Sequence, residues 1–83
     1  MNAQEILIAQ KILDVLHDEE GRQLHALTIH GQIGGVAACN ATIFDSVLNE
    51  LEARKFVLGI KTKFKGLVWN ITDAGEAARI EMQ

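Results

Sequence analysis

The sequence predicts a small α+β protein in which three helices and a short strand are followed by a β-hairpin and a closing helix. Apolar residues recur with a helical period in residues 3–18 and 41–55, which predicts the first and third helices. Apolar and polar residues alternate on both sides of Lys65-Gly66, which predicts the hairpin. Because 83 residues are enough for one such unit, we expect a single domain over residues 1–83.

The composition is that of a folded, water-exposed chain. Hydrophobic residues make up 48% of the chain and charged residues 23%, which excludes a disordered tail. No apolar run approaches the ~18–20 residues that cross a bilayer, and the start of the chain lacks the pattern of a signal peptide. Cys39 is the single cysteine and cannot form an internal disulfide. We therefore expect a cytoplasmic protein without a membrane partner.

The first helix, residues 3–18, has an unusually wide apolar face. Seven side chains fill about half of its circumference: Ile6, Ile8, Ala9, Ile12, Leu13, Val15 and Leu16. Leu7 projects on the polar side, and Gly21 is expected to end the helix. Such a wide face predicts packing against several elements or against a second subunit. We expect a homodimer that uses this helix and the C-terminal helix.

Two further helices are predicted before the hairpin. Gln23 to Ala26 is compatible with a short strand, and Leu27 to Ile33 with a second helix capped by Thr28. Gly34-Gly35 ends that helix, and Asn40 caps the third helix, 41–55. The third helix has an apolar face of Ile43, Phe44, Val47, Leu48 and Leu51, opposite Thr42, Asp45, Ser46, Asn49 and Ala53.

A two-residue turn at Lys65-Gly66 sets the predicted register of the hairpin. It pairs Phe64 with Leu67, Thr62 with Trp69 and Ile60 with Ile71, and it places Lys61, Lys63, Val68 and Asn70 on the other face. A loop of three or four residues is the alternative. Thr72 then caps a last helix, 73–82, whose predicted inward side chains are Ala74, Ala77, Ala78 and Ile80.

Positive charge is concentrated at the hairpin. Residues 54–65 contain five positive side chains and no acidic one, and since the net charge is −3, the rest of the chain carries −8. The five are Arg54, Lys55, Lys61, Lys63 and Lys65. Such a segregated basic segment favours an anionic partner, above all nucleic acid.

The order of elements resembles the winged helix-turn-helix family of DNA-binding domains. Ala41-Thr42-Ile43 through Phe56-Val57 resembles a recognition helix that runs into the first wing strand. Trp69-Asn70-Ile71-Thr72-Asp73-Ala74-Gly75 resembles the end of the second wing strand and the start of the closing helix. The resemblance covers nearly the whole chain and implies a three-helix core, a β-hairpin wing and a C-terminal helix.

The resemblance implies a small sequence-specific DNA-binding protein, such as a transcriptional regulator. Helix 41–55 would enter the major groove of double-stranded DNA with Thr42, Ser46 and Asn49 at the base edges. Hairpin 56–71 would be the wing, and its cations would contact phosphates together with Arg54 and Lys55. Two simpler roles remain open: lysines on a hairpin also protect a strand edge, and cations after a helix complement its dipole.

A protein-interaction module is the alternative function. The outward face of the third helix carries Asp45 and Glu52, with Glu50 at its border, and carboxylates repel a phosphate backbone. Such an acidic helix, or the apolar first helix, would then dock on a partner protein. Phe64 and Leu67 are expected to pack beside Trp69, although an exposed apolar tip that contacts a partner is also compatible with the sequence.

No enzyme, cofactor or metal site is expected. His25, His30 and Cys39 match no zinc spacing, and no fourth ligand is evident. Cys39 lies in the apolar run Val36–Cys39, where a small buried thiol is the usual outcome. The sequence shows neither a glycine-rich phosphate loop nor a nucleophile with an orienting base.

Overall fold

Helix α1 (Ala3–Asp18) lies against most of the other elements and begins where the sequence predicts. In the computed structural model, which describes residues 1–19, 22–35 and 39–82, the side chain of Asn2 accepts a hydrogen bond from the Glu5 amide, and Glu5 accepts one from the Asn2 amide. The inward face of α1 is buried through Ile8, Ala9, Ile12, Leu13 and Leu16. The predicted helix end at Gly21 lies outside the described residues.

Helix α2 (Ala26–Ile33) begins one residue earlier than predicted. Its N-cap is His25, which makes no side-chain capping bond, so the predicted cap at Thr28 is wrong. The predicted strand before it is reduced to one bridge, in which the amide and carbonyl of Leu24 pair with Trp69 at 3.4 and 2.8 Å. The side chain of Leu24 is buried. Gly34 ends α2 with a φ of +60°, as expected of a glycine there.

Helix α3 (Ala41–Ala53) confirms the predicted cap and faces. The Asn40 side chain accepts the Ile43 amide at 2.9 Å. The buried side chains are Phe44, Val47, Leu48 and Leu51, whereas Ile43 is half-buried. Residues 36–38, which precede Cys39, lie outside the described residues, and with them most of the predicted apolar run.

A tight turn ends α3 two residues before the predicted boundary at 55. The Phe56 amide donates to the Leu51 carbonyl and the Lys55 amide to the Glu52 carbonyl, both at 2.9 Å. This pair of bonds is a Schellman motif, whose penultimate residue adopts the left-handed conformation. Lys55 is that residue, with a φ of +64°. The turn reverses the chain directly into the hairpin.

The hairpin, β1 (Val57–Thr62) with β2 (Gly66–Ile71), has a different register from the predicted one. Thr62 lies opposite Gly66, and Val57 opposite Ile71, so each partner is shifted by three residues. The cause is a three-residue loop, which confirms the alternative that the sequence left open: the Thr62 hydroxyl accepts the Lys65 amide and donates to the Gly66 carbonyl, both at 2.9 Å. An odd shift exchanges the faces of one strand, and Trp69 therefore lies opposite Gly59.

Helix α4 (Asp73–Met82) begins directly after its predicted cap, Thr72, but buries a different face. The Thr72 hydroxyl accepts the Gly75 amide at 3.0 Å and donates to the Lys55 carbonyl at 2.7 Å. Gly75 and Ala78 are buried, which confirms only the prediction for Ala78. The other three predicted inward residues, Ala74, Ala77 and Ile80, are exposed. Their outward position follows from Gly75, which packs against the Phe56 carbonyl and sets the rotation of the helix.

Polar contacts join α4 to α1 in antiparallel order. His17 donates to Glu76 at 2.8 Å, Arg79 lies 3.6 Å from Asp14, and Gln10 donates to the Met82 carbonyl. The hydrogen bond from His17, helped by nearby Arg79, holds the pKa of the Glu76 carboxyl below its ordinary value. These contacts, together with apolar packing, fix α4 along α1.

In the described part of the chain, four helices and a two-stranded antiparallel hairpin thus surround one apolar core, an arrangement consistent with a winged-helix-like fold. Trp69 is buried at the base of the hairpin, as predicted, while Ile71 is half-buried. The Nε1 atom of Trp69 has no hydrogen-bond partner among the described residues. None of the described helices has the length and apolar character that a membrane span requires.

The packing of Gly75 predicts a large effect of one methyl group. A Cβ at this position would lie 2.0 Å from the Phe56 carbonyl oxygen, so Gly75→Ala must separate α4 from the start of β1. We expect a loss of about 3 kcal/mol in the free energy of unfolding, measured by urea denaturation. Gly31→Ala is the control, because its Cβ meets nothing within 4 Å in a helix, and it should stabilise by about 0.5–1 kcal/mol. Equal effects of the two substitutions would contradict the packing described.

Candidate nucleic-acid interface

The outward stripe of α3 brings three of the predicted base-reading residues together. Thr42, Ser46 and Asn49 are all exposed and follow one another at helical spacing over about 10 Å. Thr42 and Ser46 also line a shallow groove beside the start of α1, where Asn2 and Glu5 lie. Hydroxyl and amide groups on one helix face can donate to and accept from base edges.

The acidic residues of α3 are less free than the sequence suggests. Glu50 forms an ion pair with Arg54 at 3.0 Å, and Glu52 accepts the Gly59 amide at 3.4 Å. Among the described residues, no hydrogen bond or ion pair is made to the exposed carboxylate of Asp45. Asp45 is therefore the acidic residue of α3 whose charge faces solvent without a partner among the described residues.

Arg54 and Lys55, at the end of α3, differ in their surroundings. Both side chains are exposed, and Arg54 is held by Glu50. An exposed ion pair of this kind contributes about 0–1 kcal/mol, so exchange of Glu50 for a phosphate would cost little. Lys55 forms no ion pair with a described residue, and its left-handed backbone is a conformation that glycine adopts more easily.

Three exposed lysines lie at the far end of the hairpin. Lys61 is in β1, whereas Lys63 and Lys65 belong to the loop, so the predicted strand face shared by Lys61 and Lys63 is wrong. Among the described residues, no carboxylate lies within 4 Å of the three ammonium groups. Their charge is consequently available to an external anion.

Phe64 and Leu67 are exposed at the hairpin tip, in contrast to the prediction that they pack beside Trp69. The side chain of Phe64 is 91% exposed and that of Leu67 44%. The longer loop causes this difference, because it takes Phe64 out of the strand and away from the body of the protein.

The loop is braced by a contact that the sequence did not reveal. The imidazole Nε2 of His25 donates to the carbonyl oxygen of Lys65. Since a carbonyl oxygen can only accept, this contact requires the proton on Nε2. Thr62 holds the same loop from within through its two hydrogen bonds. Forty residues separate His25 from Lys65, and no local sequence pattern connects them.

The remaining candidate ligands of a metal have structural partners. His30 donates from Nε2 to the Cys39 carbonyl at 3.1 Å, and its ring stacks on Phe44 with centroids 4.8 Å apart. Cys39 is half-buried, and burial raises the pKa of its thiol. Within the described ranges, no three His, Cys, Asp or Glu side chains cluster as metal ligands would.

Comparison with known proteins shows similarity of structure. No family model and no curated protein matches the sequence. The chain is similar to smu.1704 of Streptococcus mutans, with a TM-score of 0.79 and 18% identity over 94% of this chain and 74% of the other. It is also similar to TA0346 of Thermoplasma acidophilum, a proposed transcriptional regulator, with a TM-score of 0.72 and 26% identity over 93% and 75% of the two chains.

The backbone of Lys55 predicts that a glycine would stabilise the protein. A side chain in the left-handed region costs about 1–2 kcal/mol, whereas glycine adopts this conformation readily. We expect Lys55→Gly to raise the free energy of unfolding by about 1 kcal/mol relative to Lys55→Ala, which removes the same charge and keeps the Cβ. Urea denaturation of both variants measures the difference, and equal stabilities would show that Lys55 is not strained.

Proposed function

We propose that this protein is a DNA-binding regulator of transcription with a winged helix-turn-helix arrangement. α2 and α3 form the helix-turn-helix, α3 is the recognition helix, and the β1–β2 hairpin is the wing. The observation that carries the proposal is the exposed polar stripe of α3 followed by a basic hairpin. The turn at Lys55 joins the two, and His25 holds the hairpin loop by a hydrogen bond. Among the described residues, no carboxylate pairs with the three hairpin lysines. The similarity to the proposed regulator TA0346 supports the same role.

The recognition helix contacts bases through its outward stripe. A helix fits the major groove, which is about 12 Å wide, and Asn49 can form paired hydrogen bonds with an adenine there. Thr42 and Ser46 offer hydroxyl groups to neighbouring bases or phosphates. Asp45 can accept a hydrogen bond from a cytosine amino group. Its carboxylate would then favour sites with cytosine at that position, in addition to repelling phosphates.

The wing and the end of α3 supply the phosphate contacts. Lys61, Lys63 and Lys65 approach the backbone beside the groove that α3 occupies, and Lys55 and Arg54 contact the intervening phosphates. The phosphate contact gives a reason for a lysine at the left-handed position 55. A glycine there would make the protein more stable but would carry no charge.

A protein-interaction module is the second candidate. It is favoured by the free carboxylate of Asp45 and by the −8 charge outside residues 54–65, both unfavourable near a phosphate backbone. The basic wing favours DNA, and we place DNA first. Neither role requires a catalytic group or a cofactor, and both are compatible with the cytoplasm.

Loss of wing lysines should weaken DNA binding without regard to sequence. Each lysine that neutralises a phosphate releases counterions, so Lys63→Gln combined with Lys65→Gln should reduce the slope of log affinity against log salt by about 2. Fluorescence anisotropy with a random-sequence duplex at several salt concentrations measures this slope. Lys11→Gln, an exposed lysine on α1, is the control and should leave it unchanged.

Two outcomes separate the candidates. Asn49→Ala should reduce discrimination between sites more than overall affinity, and Asp45→Asn should strengthen non-specific binding by removing a repulsive charge. Absence of duplex binding by the unmodified protein at low salt would reject the proposal in favour of the protein-interaction module.

We also propose that two copies associate through α1 and α4. Ile6 and Leu7 are exposed, at 41% and 38%. They lie one helical turn before Gln10, which contacts the described end of α4. Ile80 on α4 is 64% exposed. A dimer would cover these side chains and present two recognition helices to adjacent half-sites.

Sedimentation velocity at high micromolar concentration should give the mass of two chains. Leu7→Glu should yield single chains, because it places a charge in the contact, whereas Leu58→Glu, an exposed leucine of the hairpin, should not. A single-chain mass for the unmodified protein would contradict the dimer.

A further inference from the structure

The loop of the hairpin presents an aromatic ring in an unusual setting. Phe64 is 91% exposed, whereas Phe44 is buried and Phe56 half-buried, packed against the core. The ring lies between Lys63 and Lys65 in the chain, and the Lys63 ammonium is 5.6 Å from its centroid. An exposed ring alone carries little information, since single apolar side chains are common on surfaces.

The loop that carries Phe64 is held in place on both sides. The Thr62 hydroxyl bonds to the Lys65 amide and the Gly66 carbonyl, and His25 bonds to the Lys65 carbonyl. A loop that is already held by hydrogen bonds within the protein loses less conformational entropy when it contacts a partner than a flexible loop does. The structure therefore holds the ring exposed to solvent, with a lysine directly before it and another directly after it in the chain.

We propose that Phe64 is an apolar wedge that enters the minor groove and inserts between two base pairs. This inference rests on the proposed DNA binding and specifies how the wing engages the duplex. Apolar side chains that insert between base steps unstack them and bend the duplex. Lys63 and Lys65 contact the phosphates on the two sides of the step while Phe64 occupies the apolar space between the bases.

The charge around Phe64 favours DNA over the other partners that an exposed aromatic ring could contact. Residues 54–65 carry five cations and no acid, so contact between the tips of two copies would bring like charges together. An anionic membrane would attract the lysines, but a few lysines and one ring bury too little apolar area for stable attachment to a membrane. A duplex offers both phosphates for the lysines and an apolar stack of bases for the ring.

The test uses the full chain and a duplex with 2-aminopurine at flexible TA steps, because unstacking of this base raises its fluorescence. The unmodified protein should raise the fluorescence and bend the duplex, as measured by energy transfer between end labels. Phe64→Ala should abolish both signals and weaken binding on the order of tenfold, with an unchanged salt slope since the lysines remain. Phe64→Leu should retain much of both signals, because leucine also acts as a wedge.

Leu58→Ala is the matched control, since Leu58 is 52% exposed in the same hairpin but far from the loop, and it should behave as the unmodified protein. If the unmodified protein binds with a salt-dependent affinity but Phe64→Ala gives the same fluorescence and bend, the wedge is rejected and the proposed function stands. If the unmodified protein binds no duplex, both are rejected. Phe64-dependent binding to vesicles of anionic phospholipid, or a Phe64-dependent change in sedimenting mass, without the fluorescence signal would assign the ring to a membrane or to a second copy.

Discussion

The close contact between Gly75 and the Phe56 carbonyl holds together the three elements on which the candidate interface depends. Phe56 ends the Schellman turn of α3 and precedes β1, and Thr72, which follows β2, caps α4 and donates to the Lys55 carbonyl. The end of α3, both ends of the hairpin and the start of α4 therefore meet at one point. Because only a glycine fits beneath the carbonyl, the direction of the hairpin relative to α3 depends on this residue.

The charges of α3 and of the hairpin, which meet at this junction, differ from the net charge of the whole chain. The acidic residues of α3 that lie nearest the hairpin are engaged, Glu50 by Arg54 and Glu52 by the Gly59 amide. The lysines of the hairpin have no described carboxylate beside them. An overall net charge of −3 therefore coexists with a basic edge, because the negative charge resides mainly on the other segments. Net charge alone would have argued against DNA.

Sequence reasoning succeeded where local rules decide the structure and failed where distant contacts decide it. Asn40 and Thr72 cap their helices, and α3 buries the predicted face, because caps and helical periodicity act within one or two turns. The hairpin register was wrong because Val68 and Trp69 are both buried, which removes the alternation that identifies a face. The rotation of α4 depends on Gly75 and Phe56, and the position of the hairpin loop depends on His25 and Lys65; neither pair is connected by sequence spacing.

The proposed function requires that α3 and the hairpin contact the same duplex. It is tested most directly by titrating isotope-labelled protein with a random-sequence duplex at two salt concentrations and following the backbone amide resonances. We expect the largest changes in residues 42–49 of α3 and in residues 61–65 of the hairpin, and we expect them to diminish together at the higher salt. Changes confined to α1 and α4, or no change at the lower salt, would contradict it.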